Sequence, residues 1–392
     1  MNVTIYASDK YKQYVSKATA GLRFLKSVRV KYFENCDIII DSKSQKFGVF
    51  DSKHRFISNS TQQRNKNVQF PPMYVVPSDS LDIDAVYLGT LEDHFGHFLL
   101  EHTTRMYAVL KPECRGKKYI IVNNRQLSDV QPFVWEFLSL LGISPDNVFI
   151  VNRSTKVRSL YIPDVGFEIP DTSSRQFAAL FDSISDSRLP EIRADKVYVS
   201  RMKLSERSTF GEEQIQNIFE KNGFTVIYPE CLTLTEQVAY MKNCKCLAGI
   251  AGSALHLSLL MPSGGTVVQI KRNKLLRDNV DTQHALCSTK GCDLVVVDCA
   301  AEKLPTHHWS EFPQIIAPTK YFVQFLRDAR FSCSPSDLEM DQRTRQQYRK
   351  AFRQKGGFIR YQIKRMLVYF LPRLIPTSAY KASLRRWLNR HI

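Results

Sequence analysis

VYVSR (residues 197–201) opens a stretch that continues with TVIYPE (225–230) and CLAGIAGSALH (246–256) and ends with TVVQI (266–270). Each apolar run is short, and the runs between them carry apolar residues at the three-to-four-residue spacing of a helix. This alternation predicts parallel strands covered by helices on both faces. Because ligands of such sheets bind beyond the carboxyl ends of the strands, the polar residues that follow each run are the first candidates for a site.

The loop after the third run reads AGIAGSALH, residues 248–256. Gly249 and Gly252 permit a close backbone approach, and Ser253 is a good N-cap for the helix that follows. A diphosphate on the N–H groups of that helix start would be the functional use. A plain strand-to-helix turn is the preferred interpretation of the loop alone, since two glycines fall short of the dinucleotide fingerprint. His256 either faces a cleft or packs in the core.

Two arginines follow the first run, Arg201 at its end and Arg207 shortly after. A guanidinium matches phosphate oxygens through two parallel hydrogen bonds, although solvated surface arginines are the plain alternative. Glu230 ends the TVIYPE run, where it is placed to accept hydroxyls of a ribose or a sugar. Glu236 fits a capping box with Thr233, and we interpret it as structural.

Taken together, these motifs resemble the C-terminal half of glycosyltransferase family 61, and the resemblance runs from about Val86 to Ile270. It implies two Rossmann-like domains facing a cleft, the GT-B arrangement, and inverting transfer of a sugar from a nucleotide sugar. We expect the type that builds bacterial capsular polysaccharide. By position, the resemblance implies a donor site made of Arg201, Arg207, Glu230, Gly249 and Gly252, to which we add Ser253 and His256 from the same loop.

The chain departs from the family pattern in the loop and nearby. Ala251-Gly252-Ser253 stands where the family often has His-Gly-Ala, and His256 where Asn is common. Gly211-Glu212 stands where an Asn-Glu pair is common. A second hypothesis is therefore a non-catalytic, membrane-associated scaffold of a glycan-assembly complex, which keeps the fold without turnover.

The N-terminal half contributes EDHFGHFLLEHTTRMYAVL, residues 92–110, whose Gly96-His97 helix start is similar to that of family members. One polar face of this helix carries residues at spacings of three and four: His94, His97, Glu101 and Arg105. An inverting transfer needs one general base for the acceptor hydroxyl. We predict that His97 is this base, with Glu101 as its orienting partner and Asp93 in reserve. A solvated amphipathic face is the alternative without the resemblance.

No metal is predicted. A site built from His94, His97, Glu101 and His102 is disfavoured, because HxxH differs from the zinc-protease pattern HExxH and His102 points away from the other three. Asp82-Ile83-Asp84 has the form of the DxD that binds a metal-bound nucleotide in another glycosyltransferase fold, but we interpret it as loop acids. We expect no cofactor, only a nucleotide-sugar substrate, a UDP-sugar by preference.

The net charge of +17 is concentrated in the C-terminal tail, since residues 342–392 hold fourteen Lys or Arg and no Asp or Glu. Within the tail, apolar and aromatic residues alternate with arginines, the pattern of amphipathic helices that lie on anionic membranes. A nucleic acid or a protein groove is the alternative partner, and the interleaved Leu, Ile, Phe and Trp favour the membrane. Nine cysteines without a CxxC pair and the absence of an apolar leader predict the cytoplasm, at the inner face of the cell membrane.

The predicted fold class is thus α/β and GT-B-like, with a basic amphipathic tail. Seven helices are expected, at about 95–110, 130–141, 173–184, 211–221, 235–243, 253–260 and 321–329. The expected parts are a β-rich entry (1–84) that belongs with an acceptor domain (85–165), a linker (166–194), a donor domain (195–300), a return segment (301–341) and the tail (342–392). The expected activity is hexosyl or pentosyl transfer to a glycan or lipid-linked acceptor in surface polysaccharide synthesis.

Overall fold

The computed structural model describes residues 1–354, apart from 62, 65–66, 69–70, 205–208, 277 and 303–312, and also residue 367. Its strands, in chain order, are β1 (Val3–Tyr6), β2 (Arg23–Leu25), β3 (Val30–Asp41), β4 (Lys46–Phe50), β5 (Phe56–Ile57), β6 (Gln63–Arg64), β7 (Asn67–Val68), β8 (Asp79–Thr90), β9 (Lys118–Val122), β10 (Val148–Val151), β11 (Thr155–Pro163), β12 (Thr172–Ser174), β13 (Lys196–Val199), β14 (Thr209–Phe210), β15 (Thr225–Ile227), β16 (Cys246–Ile250), β17 (Thr266–Lys271), β18 (Asp293–Asp298) and β19 (Gln314–Ile315).

The α-helices are α1 (Asp9–Thr19), α2 (Phe95–His97), α3 (Pro132–Leu140), α4 (Arg175–Asp182), α5 (Glu212–Lys221), α6 (Leu234–Lys242), α7 (Val280–Lys290), α8 (Lys320–Asp328) and α9 (Gln342–Gln354). The short helix α2 continues as a π-helical stretch, Phe98–His102, and then as a 3-10 stretch, Thr103–Leu110. A separate 3-10 helix covers Ser253–Leu260. Shorter 3-10 turns lie at Ser58–Ser60, Pro112–Cys114, Pro145–Asn147, Asp186–Arg188, Pro229–Cys231 and Pro335–Leu338.

The first large sheet has seven strands in the order β10-β9-β8-β11-β3-β4-β5. Strands β10, β9, β8 and β11 are parallel, whereas β3, β4 and β5 are joined to them by antiparallel pairing. The last six residues of β8 and most of β9 are buried, as expected for parallel strands covered on both faces. This sheet is therefore mixed, with its parallel part formed by the residues that the sequence places in the acceptor domain.

The second large sheet is fully parallel and has six strands in the order β1-β18-β17-β16-β13-β15. Strand β1 pairs along β18, from Val3 opposite Leu294 to Tyr6 opposite Val297. The entry region 1–84, which we had grouped with the acceptor domain, is thus split between the two sheets. The physical reason is edge pairing: β18 leaves one edge of a parallel sheet open, and the apolar run VTIY at the start of the chain covers it.

One hydrophobic cluster extends between the two sheets. It includes Val86 and Ile121 of the first sheet, Leu255 of the Ser253–Leu260 helix, and Val267 and Leu294 of the second sheet. Helix α4 contacts both the Thr103–Leu110 stretch and α7, and α3 contacts α6. Helices from both halves therefore share one apolar layer, and this layer supports the cleft described below.

The seven helices expected from the sequence are present, each within two residues at either end. Helices α1 and α7 were not expected. The capping box at the start of α6 is confirmed, since Thr233 and Glu236 bond reciprocally. The mixed α/β class is confirmed as well, while the GT-B arrangement stays a prediction. Of the basic tail, α9 is described, and its apolar part beyond residue 354 lies outside the described residues except for Leu367.

The acids Asp82 and Asp84 lie within β8, so their interpretation as loop residues was wrong. Both carboxylates pair with Arg158 of the neighbouring strand β11, and Asp84 also accepts a hydrogen bond from Ser159 at 2.5 Å. These contacts satisfy the two acids as cross-strand partners. The two acids of the DxD thus make contacts between neighbouring strands of the first sheet.

Candidate active site

The carboxyl ends of three neighbouring strands of the second sheet meet at one edge. Arg201 follows β13, Ala251 and Gly252 follow β16, and Arg272 follows β17. Across from this edge lies the start of the 95–110 helical segment, which belongs to the first half of the chain. Two adjoining cavities open between them, in the place where open parallel sheets bind their ligands.

We call the first of these the basic cavity. It has a volume of about 390 Å³, and its lining includes His94, His97, Arg201, Gly252, Ser253, His256, Arg272, Asn273 and Asp278. The second, the aromatic cavity, has a volume of about 500 Å³ and is lined by Asp93, Phe95, Phe133, Glu230, Leu232 and Leu234, among others. The two share His94, Arg201 and Ser253. One cleft therefore has a polar, positively charged end and an apolar end, joined at Arg201.

His97 and Glu101 contact each other directly, through Nδ1 of the imidazole and Oε2 of the carboxylate. The Glu101 side chain is only 4% exposed, whereas the His97 side chain is 41% exposed and lines the basic cavity. Their separation of four residues places them on one helix face, as expected from the sequence. Glu101 lies in the π-helical stretch, a distortion that is frequent at functional sites. A buried carboxylate thus orients an accessible imidazole.

Two arginines carry the positive charge of the basic cavity. Burial lowers the pKa of Arg201, and burial together with the neighbouring Arg201 lowers the pKa of Arg272 to about 10. Both groups remain charged at neutral pH. The carboxylate of Glu212, which is 1% exposed, accepts a hydrogen bond of 2.9 Å from the backbone N–H of Arg201 and fixes the turn that carries it. A buried cation, Arg272, and a half-buried one, Arg201, beside the same cavity form a site for an anion with several oxygens.

Two glycines set how closely the parts of the site approach. A Cβ at Gly252 would lie 2.6 Å from Nη1 of Arg201, so the absence of a side chain gives the guanidinium its position. A Cβ at Gly96 would lie 2.7 Å from the Cβ of Ser253, where the first half of the chain meets the second. The helix begins at Ser253, and Gly252 occupies the N-cap position that we had expected for the serine. This helix start, an end that offers backbone N–H groups, therefore lies at the junction of the two cavities.

The other histidines differ in their surroundings. Burial lowers the pKa of His256 to about 4, and the side chain of Gln283 hydrogen-bonds to it. Burial, the neighbouring His97 and Arg201 also lower the pKa of His94. His102 is fully buried and packs on Phe98, with ring centroids 5.3 Å apart, so it lies behind the cavity wall. His256 and His94 are thus neutral at pH 7, and among the three histidines that line the basic cavity it is His97 that contacts a carboxylate.

The remaining expected residues fall in different places. Glu230 is exposed and lines the aromatic cavity, and its charge acts to raise the pKa of Arg201. Asp93 also lines that cavity, but its carboxylate pairs with Arg125 at 3.1 Å. Gly249 lies inside β16, and a Cβ there would be 2.5 Å from Val199, so its role in the structure is packing. Arg207 lies outside the described residues.

Sequence reasoning missed Arg272, Asn273 and Asp278, all of which line the basic cavity. The signal for the first two was available, because KRN directly follows the TVVQI strand and therefore reaches the same sheet edge as Arg201. Asp278 had no such signal, since it lies in the loop before α7. Within the part of the chain that the structure describes, no three His, Cys, Asp or Glu side chains converge as metal ligands. No helix among the same residues is both long and apolar enough to cross a bilayer.

Comparison with known proteins places this cleft in context. Residues 95–268 match the family model described as Glycosyltransferase 61, a region that includes the His97–Glu101 pair, Arg201, Glu230 and the Gly252 loop. No curated protein matches the chain. Among solved structures, the chain is similar to the bacterial iron-containing dodecameric glycosyltransferase TibC from enterotoxigenic E. coli H10407, at 10% identity, with 94% of this chain and 97% of that chain covered and a TM-score of 0.25. The family match supports a glycosyltransferase.

Proposed function

We propose that the protein is an inverting glycosyltransferase that moves a sugar from a nucleotide-sugar donor to a hydroxyl of a glycan or lipid-linked acceptor. The observation that carries this proposal is the meeting of two groups in one cleft. The His97–Glu101 pair comes from the first half of the chain, and Arg201 comes from the second half. Both lie within the region that matches Glycosyltransferase 61.

The donor is oriented by the difference between the two cavities. Its diphosphate lies at their junction, against Arg201, Arg272 and the N–H groups at Ser253. The nucleoside occupies the aromatic cavity, where Phe133 offers a face for the base and Glu230 accepts ribose hydroxyls. The transferred sugar occupies the basic cavity, because His97 lines that cavity and must reach the acceptor beside the anomeric carbon.

The reaction is a single displacement. The acceptor oxygen attacks the anomeric carbon, its proton passes to Nε2 of His97, and the bond from that carbon to the diphosphate oxygen breaks with its electron pair on the leaving nucleoside diphosphate. The new bond forms on the opposite face of the sugar, so the anomeric configuration inverts. Arg201 and Arg272 stabilise the charge that develops on the diphosphate, which is the work of a divalent metal in other glycosyltransferases. We propose a metal-independent transfer.

Glu101 acts through His97. When the buried carboxylate is ionised, it accepts a hydrogen bond from Nδ1–H, and this leaves the lone pair on Nε2 for the incoming proton. The same carboxylate then stabilises the imidazolium. Asp93 is the weaker alternative base because Arg125 already holds its carboxylate.

Nucleotide binding and transfer test the proposal together. Calorimetry with UDP, CDP and GDP should show binding of one of them, by preference UDP, that Arg201→Ala weakens at least tenfold. His97→Ala should bind the same nucleotide as the wild type and lower kcat by about 10² to 10⁴. A protein that binds no nucleoside diphosphate would support the scaffold hypothesis. Variants that both transfer at the wild-type rate would exclude this site.

For the cellular role, we propose synthesis of a capsule or other surface polysaccharide at the inner face of the cell membrane. The membrane location is supported by the basic tail. The described helix α9 carries five basic residues, Arg343, Arg345, Arg349, Lys350 and Arg353, while Tyr348 packs inward with its ring centroid 6.0 Å from that of Phe210. Liposomes with anionic lipid should float the full chain and should float a variant that ends at residue 341 much less. Equal flotation of the two proteins would remove the membrane role, and salt-sensitive capture of RNA or DNA would favour nucleic acid.

A further inference from the structure

Asp278 is a buried acid in the wall of the basic cavity, just before α7. Its side chain is 2% exposed. The oxygen Oδ2 accepts a hydrogen bond of 2.5 Å from the hydroxyl of Tyr11 in α1, and Nζ of Lys271 lies 3.1 Å from the same oxygen. Tyr11 and Lys271, which are far apart in the sequence, thus fix the position of Oδ2.

The other oxygen, Oδ1, is buried and has no hydrogen-bond partner among the described residues. An ionised oxygen buried without a donor costs free energy that the fold does not recover by itself. Lys271 cannot supply the missing donor in this arrangement, because its ammonium also binds the carbonyl of Leu275 at 2.5 Å and lies 4.4 Å from the ring centre of Tyr11. A molecule bound in the cavity that Asp278 lines can supply this hydrogen-bond donor.

The charges of the cavity restrict what that molecule is. Arg201 and Arg272 line the same space and disfavour a cationic group, while Asp278 disfavours an anionic group at its own position. A neutral donor satisfies both conditions, and a sugar hydroxyl is such a donor. Asn273 and Thr282 line the cavity too and offer further hydrogen bonds to a polyol.

We infer that Asp278 binds a hydroxyl of the transferred sugar through Oδ1 and thereby selects a donor that presents a neutral hydroxyl at that position. This inference rests on the proposed function and adds the sugar contact to it. Asp278 lies beyond residues 95–268, so it is a specificity residue outside the region that matches the family. Tyr11 and Lys271 are positioning residues that hold Oδ2 and direct Oδ1.

The test compares two ligands: the nucleoside diphosphate that binds the wild type and the nucleotide sugar that serves as donor. Asp278→Asn keeps the shape and still accepts a hydrogen bond from Tyr11, but it replaces the acceptor Oδ1 by an amide N–H₂. Its Kd for the nucleotide sugar should rise about tenfold, while its Kd for the nucleoside diphosphate should stay within about twofold. The unchanged nucleoside diphosphate affinity shows in the same experiment that the variant is folded.

Two further variants complete the design. Asp281→Asn removes a carboxylate of the same segment that is not part of the cavity lining, and both affinities should remain those of the wild type. Tyr11→Phe should weaken the nucleotide sugar alone, by about two- to fivefold. If Asp278→Asn weakens the binding of both ligands equally, or changes neither affinity, the inference is overturned. Nucleotide binding by the wild type would still support the proposed function in that case. A wild type that binds no nucleotide would refute both.

Discussion

Gly252 determines the position of the Arg201 guanidinium, because the two are in contact at the junction of the cavities. A methyl group at Gly252 would lie 2.6 Å from Nη1 and would displace the end of the arginine. We expect Gly252→Ala to weaken nucleoside diphosphate binding about tenfold by calorimetry. In the background of Arg201→Ala, the same substitution should have little further effect. Effects that add fully would mean that Gly252 acts independently of Arg201.

His102 makes the stability of the protein depend on pH. Burial lowers the pKa of this fully buried imidazole to about 3, whereas an unfolded histidine has a pKa of about 6.5. Between these values the unfolded state binds the extra proton, so the free energy of unfolding falls as the pH falls through this window, by up to about 1.4 kcal/mol per pH unit. Urea unfolding of His102→Leu between pH 7 and pH 4 should show a shallower loss than the wild type. Parallel curves would contradict this prediction.

At the level of single residues, the sequence predicts the site best where its partners are close along the chain. The His97–Glu101 contact follows from a separation of four residues on a helix. The position of Arg201 follows from the end of an apolar strand. The contact of Asp278 with Tyr11 joins residues 267 apart and follows from no local pattern. The function proposed for Gly249 has no support from the structure because packing against Val199 already explains the glycine.

Secondary structure follows the sequence where a helix or strand has one buried and one exposed face. Helix α5 buries Ile215, Ile218 and Phe219, at spacings of three and four, and was expected. Helix α7 was not expected, because it also buries polar residues such as Thr282, Gln283 and Lys290 and so lacks an apolar stripe. Two of these polar side chains are satisfied within the fold, since Gln283 bonds to Ser258 at 3.0 Å and Lys290 pairs with Asp182. The formation of such a helix depends on tertiary contacts, which the periodicity of the sequence does not reveal.

The contact between two helix starts, at Gly96 and Ser253, holds the helical segment that carries His97 against the loop that carries Gly252. A Cβ at Gly96 would approach the Cβ of Ser253 to 2.7 Å, closer than two carbons tolerate. Gly96→Ala should therefore lower the free energy of unfolding by about 1–3 kcal/mol and reduce transfer. The double variant Gly96→Ala/Ser253→Gly removes the opposing carbon and should be more stable than Gly96→Ala in urea unfolding. If the double variant is no more stable than Gly96→Ala, the contact with Ser253 is not the reason that position 96 requires a glycine.

At the scale of the whole molecule, the order of the chain and the order of the strands differ. Division of the sequence into consecutive domains assigned residues 1–84 to the acceptor half, because apolar patterns indicate strands but not their partners. In the structure, β1 closes the edge of the second sheet and α1 contacts α7. Parallel pairing between residues as far apart in the chain as Val3 and Leu294 comes from the shape of the completed sheet, and the pattern of a single sequence does not reveal it.

The role of β1 can be tested with two adjacent residues of the same strand. Ile5 is partly buried against the hydrophobic cluster, whereas Thr4 is exposed. Ile5→Asn should lower the free energy of unfolding by about 1–2 kcal/mol, while Thr4→Asn should leave it nearly unchanged. Hydrogen exchange should become faster in β17 and β18, at residues 266–271 and 293–298, before it does in the first sheet. Faster exchange in β8 and β11 instead would show that β1 stabilises the first sheet, in the acceptor half to which we had assigned it from the sequence.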